Sequence, residues 1–297
     1  MSDNLFAYTL ALTANIIFAF SVQIFTYYSR KISAIWMNFV KAFVAMILFL
    51  GAIVIMGWNF SFSNEVLILL FVSGILGLGI GDLALLTALR DLGPGRAMVI
   101  VAFHPIVTGI LSYLVFDQTL SLKKMVAILF MIMCIFVFSL ESMKKAGNWG
   151  IKGIALVMTA IILDVIGVLM IKEAELISKI NPFEASFYRC LGVVVFFLIW
   201  NQFRPFQIIE GIKKQTKKST LIILAGSFLG TFLALAIIFK AYTTVTDNLA
   251  TISSINISCS LFAALFECIH EKKKPGRYLV ISFLLMICGV SIFLFVE

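Results

Sequence analysis

Residues 34–56 read AIWMNFVKAFVAMILFLGAIVIM, an unbroken apolar run in which Lys41 is the one charge. As a helix rising about 1.5 Å per residue it is long enough to cross a hydrocarbon core of about 30 Å. The same pattern recurs along the chain. Short polar clusters separate apolar runs of similar length, and a helix satisfies its own backbone hydrogen bonds in lipid. The spacing predicts ten helical spans: 5–27, 34–56, 66–89, 96–116, 122–140, 151–171, 183–202, 220–242, 246–267 and 276–296. The breaks carry turn chemistry, as at Gly93-Pro94-Gly95, Asn181-Pro182 and Lys274-Pro275-Gly276.

Composition agrees. Hydrophobic residues fill 62% of 297 positions and charged ones 13%, against about 45–50% and about 25% in soluble domains. The net charge of +8 does not point to nucleic acid, because the basic residues sit in loops. Clusters such as Arg30-Lys31, Lys144-Lys145, Lys213-Lys214 and Lys272-Lys273-Lys274 fall in the odd-numbered loops. The other side holds Lys123, Lys124, Lys172, Lys179 and Lys240. The positive-inside rule then puts the odd loops in the cytoplasm and both termini outside. The first span lacks a basic n-region and is too long for a cleavable signal peptide. The five cysteines show no metal or CxxC spacing and read as packing residues.

The two halves resemble each other in order. Asn38-Phe39-Val40-Lys41 parallels Ser186-Phe187-Tyr188-Arg189. Gly77, Ala88 and Ala97 parallel Gly230, Ala241 and Ala250, and Met133-Cys134 parallels Ile287-Cys288. The offset is about half of the 297 residues throughout. With five helices in each half, an odd number, the second half inserts upside down. The expected fold is therefore an all-α integral membrane protein of ten transmembrane helices in two inverted five-helix repeats, residues 1–147 and 148–297. Secondary transporters are built this way.

The run Gly81-Asp82-Leu83-Ala84-Leu85-Leu86-Thr87-Ala88-Leu89, followed by Leu92-Gly93, Ala97 and Pro105, resembles the third and fourth helices of the EamA-type family of the drug/metabolite transporter superfamily. Asp117 and Glu271 stand where that family has acidic residues after helices 4 and 9. Lys41 and Arg189 stand where it often has arginine. Lys41 for Arg, and Ser258 where a second Pro is expected, depart from the pattern. The resemblance covers the whole chain. It implies a central cavity built from helices 1–4 and 6–9, and termini that many members keep inside the cell.

An ionisable group in the bilayer core costs at least about 2.5–3.5 kcal/mol on insertion scales. Five lie within the spans: Lys41, Asp82, His104, Asp164 and Arg189. Counted along the helices, Asp82, His104 and Lys41 lie about 11–12 Å from one membrane face and Asp164 about 20 Å, nearer the midplane. Arg189 lies near the opposite face. The first four can converge on one polar cavity. Alternatively Lys41 and Arg189 snorkel to the interface, and Asp82 with His104 forms a structural pair.

Helix faces add neutral candidates. His104, Thr108 and Ser112 share a face, as do Asn15, Gln23 and Tyr27, and as do Asn248, Thr251, Ser254 and Ser258. Interhelical hydrogen bonding is the plainer account of each. Gly77-x-x-x-Gly81 and Gly226-x-x-x-Gly230 suit close helix packing, and the glycines of the third span also suit bending. Pro105 is expected to kink the fourth helix.

These features point to a secondary transporter of a small polar or zwitterionic, amino-acid-like metabolite. It would work by alternating access in the bacterial cytoplasmic membrane, as a monomer or homodimer. Asp82 or Asp164 would couple protons, with His104 tuning near neutral pH. A flippase for a lipid-linked or phosphate-bearing headgroup, held by Lys41, Arg189 or Arg96, is the alternative. No enzyme, metal or cofactor is expected: the sequence offers no nucleophile–base pair or phosphate loop. Its two histidines, His104 and His270, lie in distant segments. The implied partners are a small-molecule substrate and the lipid bilayer.

Overall fold

The computed structural model describes residues 3–57, 62–92, 97, 100–145, 150–206, 208–246, 249–270, 272 and 274–295. It is helical throughout, with no strand among the described residues. In chain order the helices are α1 (Asp3–Lys31), α2 (Ala34–Met56), α3 (Asn64–Ser73), α4 (Asp82–Leu92) and α5 (His104–Phe116). Then come α6 (Leu122–Lys145), α7 (Ile151–Ile177), α8 (Pro182–Phe203), α9 (Ile208–Lys213) and α10 (Lys217–Gly226). The last are α11 (Ala234–Thr244), α12 (Ala250–Asn256), α13 (Ser258–His270) and α14 (Arg277–Phe295). Two π-helical segments, Gly74–Gly81 and Ser227–Leu233, join α3 to α4 and α10 to α11.

Seven stretches are long and apolar enough to cross a membrane: Asp3–Ser29, Ala34–Met56, Asn64–Leu89, Leu122–Leu140, Ile151–Ile177, Pro182–Phe203 and Lys217–Thr244. The other three expected spans appear as shorter apolar helices, His104–Phe116, Ala250–Phe266 and Arg277–Ile292. The short helix α9, within the polar stretch between the seventh and eighth spans, is not evident from apolar patterning. The glycine-rich part of the third span is π-helical instead of plainly α-helical.

Expectation and structure also part at Pro105. The expected kink inside a continuous 96–116 helix is a break instead. Ala102 and Phe103 form a turn, and Pro105 sits in the first turn of α5. There its missing N–H costs nothing and its fixed φ suits the helix start. The second half breaks at the matching place with no proline. Phe103 N–H bonds Ile100 O at 3.0 Å and Ile106 N–H bonds Phe103 O at 3.0 Å. Likewise Ile257 N–H bonds Ser254 O at 3.1 Å and Ser260 N–H bonds Ile257 O at 3.3 Å. Both halves therefore carry a π segment in the third helix and a tight i to i+3 turn in the fourth.

Helix ends gather in two groups. Asn4 Oδ1 accepts from Thr246 N–H at 3.0 Å, and Gln118 Oε1 from Leu249 N–H at 3.2 Å. At the other end Trp36 Nε1 donates to Ile208 O at 3.2 Å. Helices α6 and α14 pack along each other. The first π segment is pressed between α7 and α8, so closely that a β-carbon at Gly74 would stand 2.1 Å from the Arg189 carbonyl oxygen.

Candidate functional site

A cavity of about 330 Å³ lies between α1, α2, the two π segments, α4, α5, α7, α8, α11, α12 and α13. Lys41, Asp82, His104, Asp164 and Arg189 all line it. Most of the remaining wall is apolar, with Phe18, Val22, Leu85, Val101 and Ile161 among its residues. A few polar groups set in an apolar wall is the usual form of a small-molecule site. Among the described residues none of α6 or α14 reaches it, in keeping with the absence of ionisable groups in their apolar runs.

Lys41 Nζ lies 2.5 Å from Asp82 Oδ2 and 5.4 Å from the centre of the Phe25 ring. Local structure prepares this pair. A π segment leaves carbonyls out of register, and Asn38, one turn before Lys41, donates through Nδ2 to Leu78 O at 2.9 Å and Gly79 O at 3.0 Å. Asp82 follows directly after that segment. Lys41 is buried, so it does not snorkel.

His104 Nε2 lies 2.9 Å from Asp164 Oδ2. The ionic partners are thus Lys41 with Asp82 and His104 with Asp164, and the expected Asp82–His104 pair does not form. Thr108 is buried behind the imidazole and off the cavity wall. Its Oγ1 lies 3.2 Å from His104 Nδ1 and 2.9 Å from His104 O. This arrangement serves either charge state of the ring. A neutral ring donates from Nε2 and accepts the Thr108 proton at Nδ1. An imidazolium donates from both nitrogens while Thr108 turns its proton to the carbonyl. Arg189, also buried, donates from Nε to Ser73 Oγ at 3.1 Å. A β-carbon at Gly77 would touch both Asp164 Oδ1 at 3.5 Å and Arg189 at 3.6 Å, so the two ionic side chains share the space beside that glycine. Arg189 therefore joins the same cavity as the other four.

The cavity wall also carries a neutral network. Asn15 Nδ2 donates to Asn256 Oδ1 at 2.8 Å, and Asn256 Nδ2 donates to Tyr242 Oη at 2.8 Å. Tyr242 Oη lies 3.5 Å from Ser253 Oγ. All four line the cavity, yet apart from Asn15 none stood out in the sequence. The stretch from Thr251 to Ser260 carries two polar stripes, and periodicity does not say which faces inward. Thr251 and Ser254 are buried away from the cavity, while Ser253 and Asn256 meet it. Asn248 lies outside the described residues. Gln23 misses the cavity as well; its Nε2 donates to Ala263 O at 2.7 Å and ties α1 to α13. Tyr27 is exposed and Ser112 buried. Among the packing glycines, β-carbons at Gly226 and Gly230 would stand 3.1 Å and 2.5 Å from Ile24 and Ser21 of α1, and one at Gly81 3.5 Å from Ala160 O.

The family model of the EamA-like transporter family matches residues 5–140 and again residues 151–295. The chain belongs to the EamA-like transporter family. It is thus a multi-pass membrane transporter of the drug/metabolite type, with the two-repeat architecture of that superfamily. A solved crystal structure, described simply as a protein, superposes on this transporter over 96% of its chain and 95% of the other. The TM-score is 0.75 and the identity 13%, a likeness of fold alone. None of the curated proteins matches the sequence.

Proposed function

We propose that this EamA-like protein is a secondary active transporter for a small zwitterionic metabolite of amino-acid type. It alternates access across the bacterial cytoplasmic membrane between two inverted five-helix repeats, residues 1–147 and 148–297. The observation that carries this reading is the charge balance of the cavity. Lys41 and Arg189 bring two positive charges and Asp82 and Asp164 two negative ones, so a zwitterion finds a partner for each of its ends. A phosphate-bearing headgroup would enter with negative charge left over, because both cations already face a carboxylate or its field. That imbalance counts against a flippase.

Protons couple at His104–Asp164. Thr108 lets the pair hold or release a proton without leaving a buried donor or acceptor unmatched, which would cost about 1–3 kcal/mol. The test is uptake of radiolabelled amino acids and amines into proteoliposomes with an imposed pH gradient. Substrate-dependent uptake that falls in Asp82→Asn and Asp164→Asn supports the reading. Uptake unchanged in both variants removes the coupling claim, and transport of labelled lipid headgroups in place of amino acids removes the substrate class.

A further inference from the structure

A second cavity, of about 580 Å³, lies away from the transport site. It opens where the Lys31–Ser33 turn between α1 and α2 meets the segment from Pro205 to Gln215. These are helix ends, so in a membrane-spanning chain the cavity sits at headgroup level. Trp36 and Phe206 form an aromatic wall, and Lys31, Ser33, Lys214 and Gln215 supply hydrogen-bond donors at the rim.

The floor is built, not incidental. Trp36 Nε1 donates to Ile208 O at 3.2 Å. Gly211 lies so close that a β-carbon there would fall 2.1 Å from Trp36 Nε1. Together these hold the short helix α9 against the end of α2. Gln215 Nε2 donates to Gly211 O at 3.2 Å and closes the turn. Ser33 Oγ accepts from Trp36 N–H at 3.0 Å, which leaves its own O–H as a donor.

Two further features choose the ligand. Lys213, Lys217 and Lys218 neighbour the lining residues Lys214 and Gln215 in the sequence, and the nearest acid in the segment is Glu210. Glu210 meets Lys214 at 3.7 Å on the surface, a pairing of small worth that yields readily to a stronger anion. Beside these lysines, Phe203, Ile209 and Ile212 stand 81%, 66% and 53% exposed. Large apolar side chains exposed next to a basic rim match a bilayer boundary, where acyl chains meet the first and phosphates the second.

We propose that this cavity binds the headgroup of an anionic phospholipid. Its phosphate lies between Lys31 and Lys214, and its acyl chains run down past Phe203, Ile209 and Ile212. The proposal rests on the membrane placement of the chain and not on what the central cavity carries. The lipid is a structural ligand that fixes the α1–α2 and α8–α10 connections to each other.

The test uses full-length protein in neutral detergent, with its melting temperature followed while dioleoyl phosphatidylglycerol, dioleoyl phosphatidylcholine or inorganic phosphate is added. Phosphatidylglycerol should raise the melting temperature by mass action, and the other two should not. Lys31→Gln/Lys214→Gln should weaken the apparent affinity about thirtyfold, two lysines at about 1 kcal/mol each near a charged surface. Lys123→Gln/Lys124→Gln, which removes equal charge at the opposite group of helix ends, should leave it unchanged. Lys31→Arg/Lys214→Arg keeps the charge and should retain binding, which separates loss of the site from loss of folding. An equal response to phosphatidylcholine, an equal loss in both glutamine pairs, or a shift produced by phosphate alone overturns the proposal.

Discussion

The cavity holds its charges as neighbours, so single substitutions act through what they leave behind. Asp164→Asn keeps the shape of its side chain but takes the carboxylate from His104 Nε2, 2.9 Å away. Uptake driven by a pH gradient should fall at least about tenfold, corresponding to ~1.4 kcal/mol, and the remaining transport should lose its pH dependence. Thr108→Val is the subtler probe. It deletes the hydroxyl that serves His104 Nδ1 and O while preserving volume. The expected cost in stability is about 1 kcal/mol. Its effect should show as a displaced pH profile of transport, with substrate affinity little changed. Measuring affinity and pH profile on one preparation separates these outcomes.

At the scale of elements, the π segment Gly74–Gly81 is held by both a side chain and a backbone contact. Asn38 ties its carbonyls to α2, although Asn38 Oδ1 is itself buried without a partner. Asn38→Ala should lower stability by about 1–2 kcal/mol and slow transport, because the segment sets the position of Asp82. The matching position in the second half is Ser186, whose buried Oγ has no partner. Gly74→Ala drives a methyl into the Arg189 backbone and should cost about 1–3 kcal/mol. Gly51→Ala on α2 meets nothing within 4 Å and should stabilise by about 0.4–1 kcal/mol, since alanine restricts the unfolded chain. Thermal melts of the two glycine variants should therefore move in opposite directions.

For the whole molecule, the two groups of helix ends make sidedness testable. The face that holds Trp36 and Ile208 also holds Lys213, Lys214, Lys217 and Lys218, and the positive-inside rule sends it to the cytoplasm. In a background without native cysteines, Lys218→Cys should resist a membrane-impermeant maleimide in intact cells, while Lys179→Cys should react. The reverse pattern would invert the orientation. Of the native thiols, Cys259 alone is both on the cavity wall among the described residues and half-buried. Its labelling by a small thiol reagent should slow when substrate fills the cavity, because both occupy the same space.

The sequence by itself determined the membrane environment, the helical class and the pairing of halves. Apolar runs of bilayer length admit few alternatives in lipid, and the repeat is written in ordered matches such as Lys41 with Arg189. It also picked out the five ionisable residues, because a charge in an apolar run is costly wherever it points. The partners were decided by the tertiary structure. Lys41 meets Asp82 and His104 meets Asp164 because α2 lies against α4 and α5 against α7, and depth along single helices carries no information about their mutual rotation. The same holds for Ser253 and Asn256, which face the cavity in place of Thr251 and Ser254. The turn at Ile257 matches the one at Phe103 although Ser258 replaces a proline. A break set by packing in both repeats does not need the residue that would announce it in the sequence.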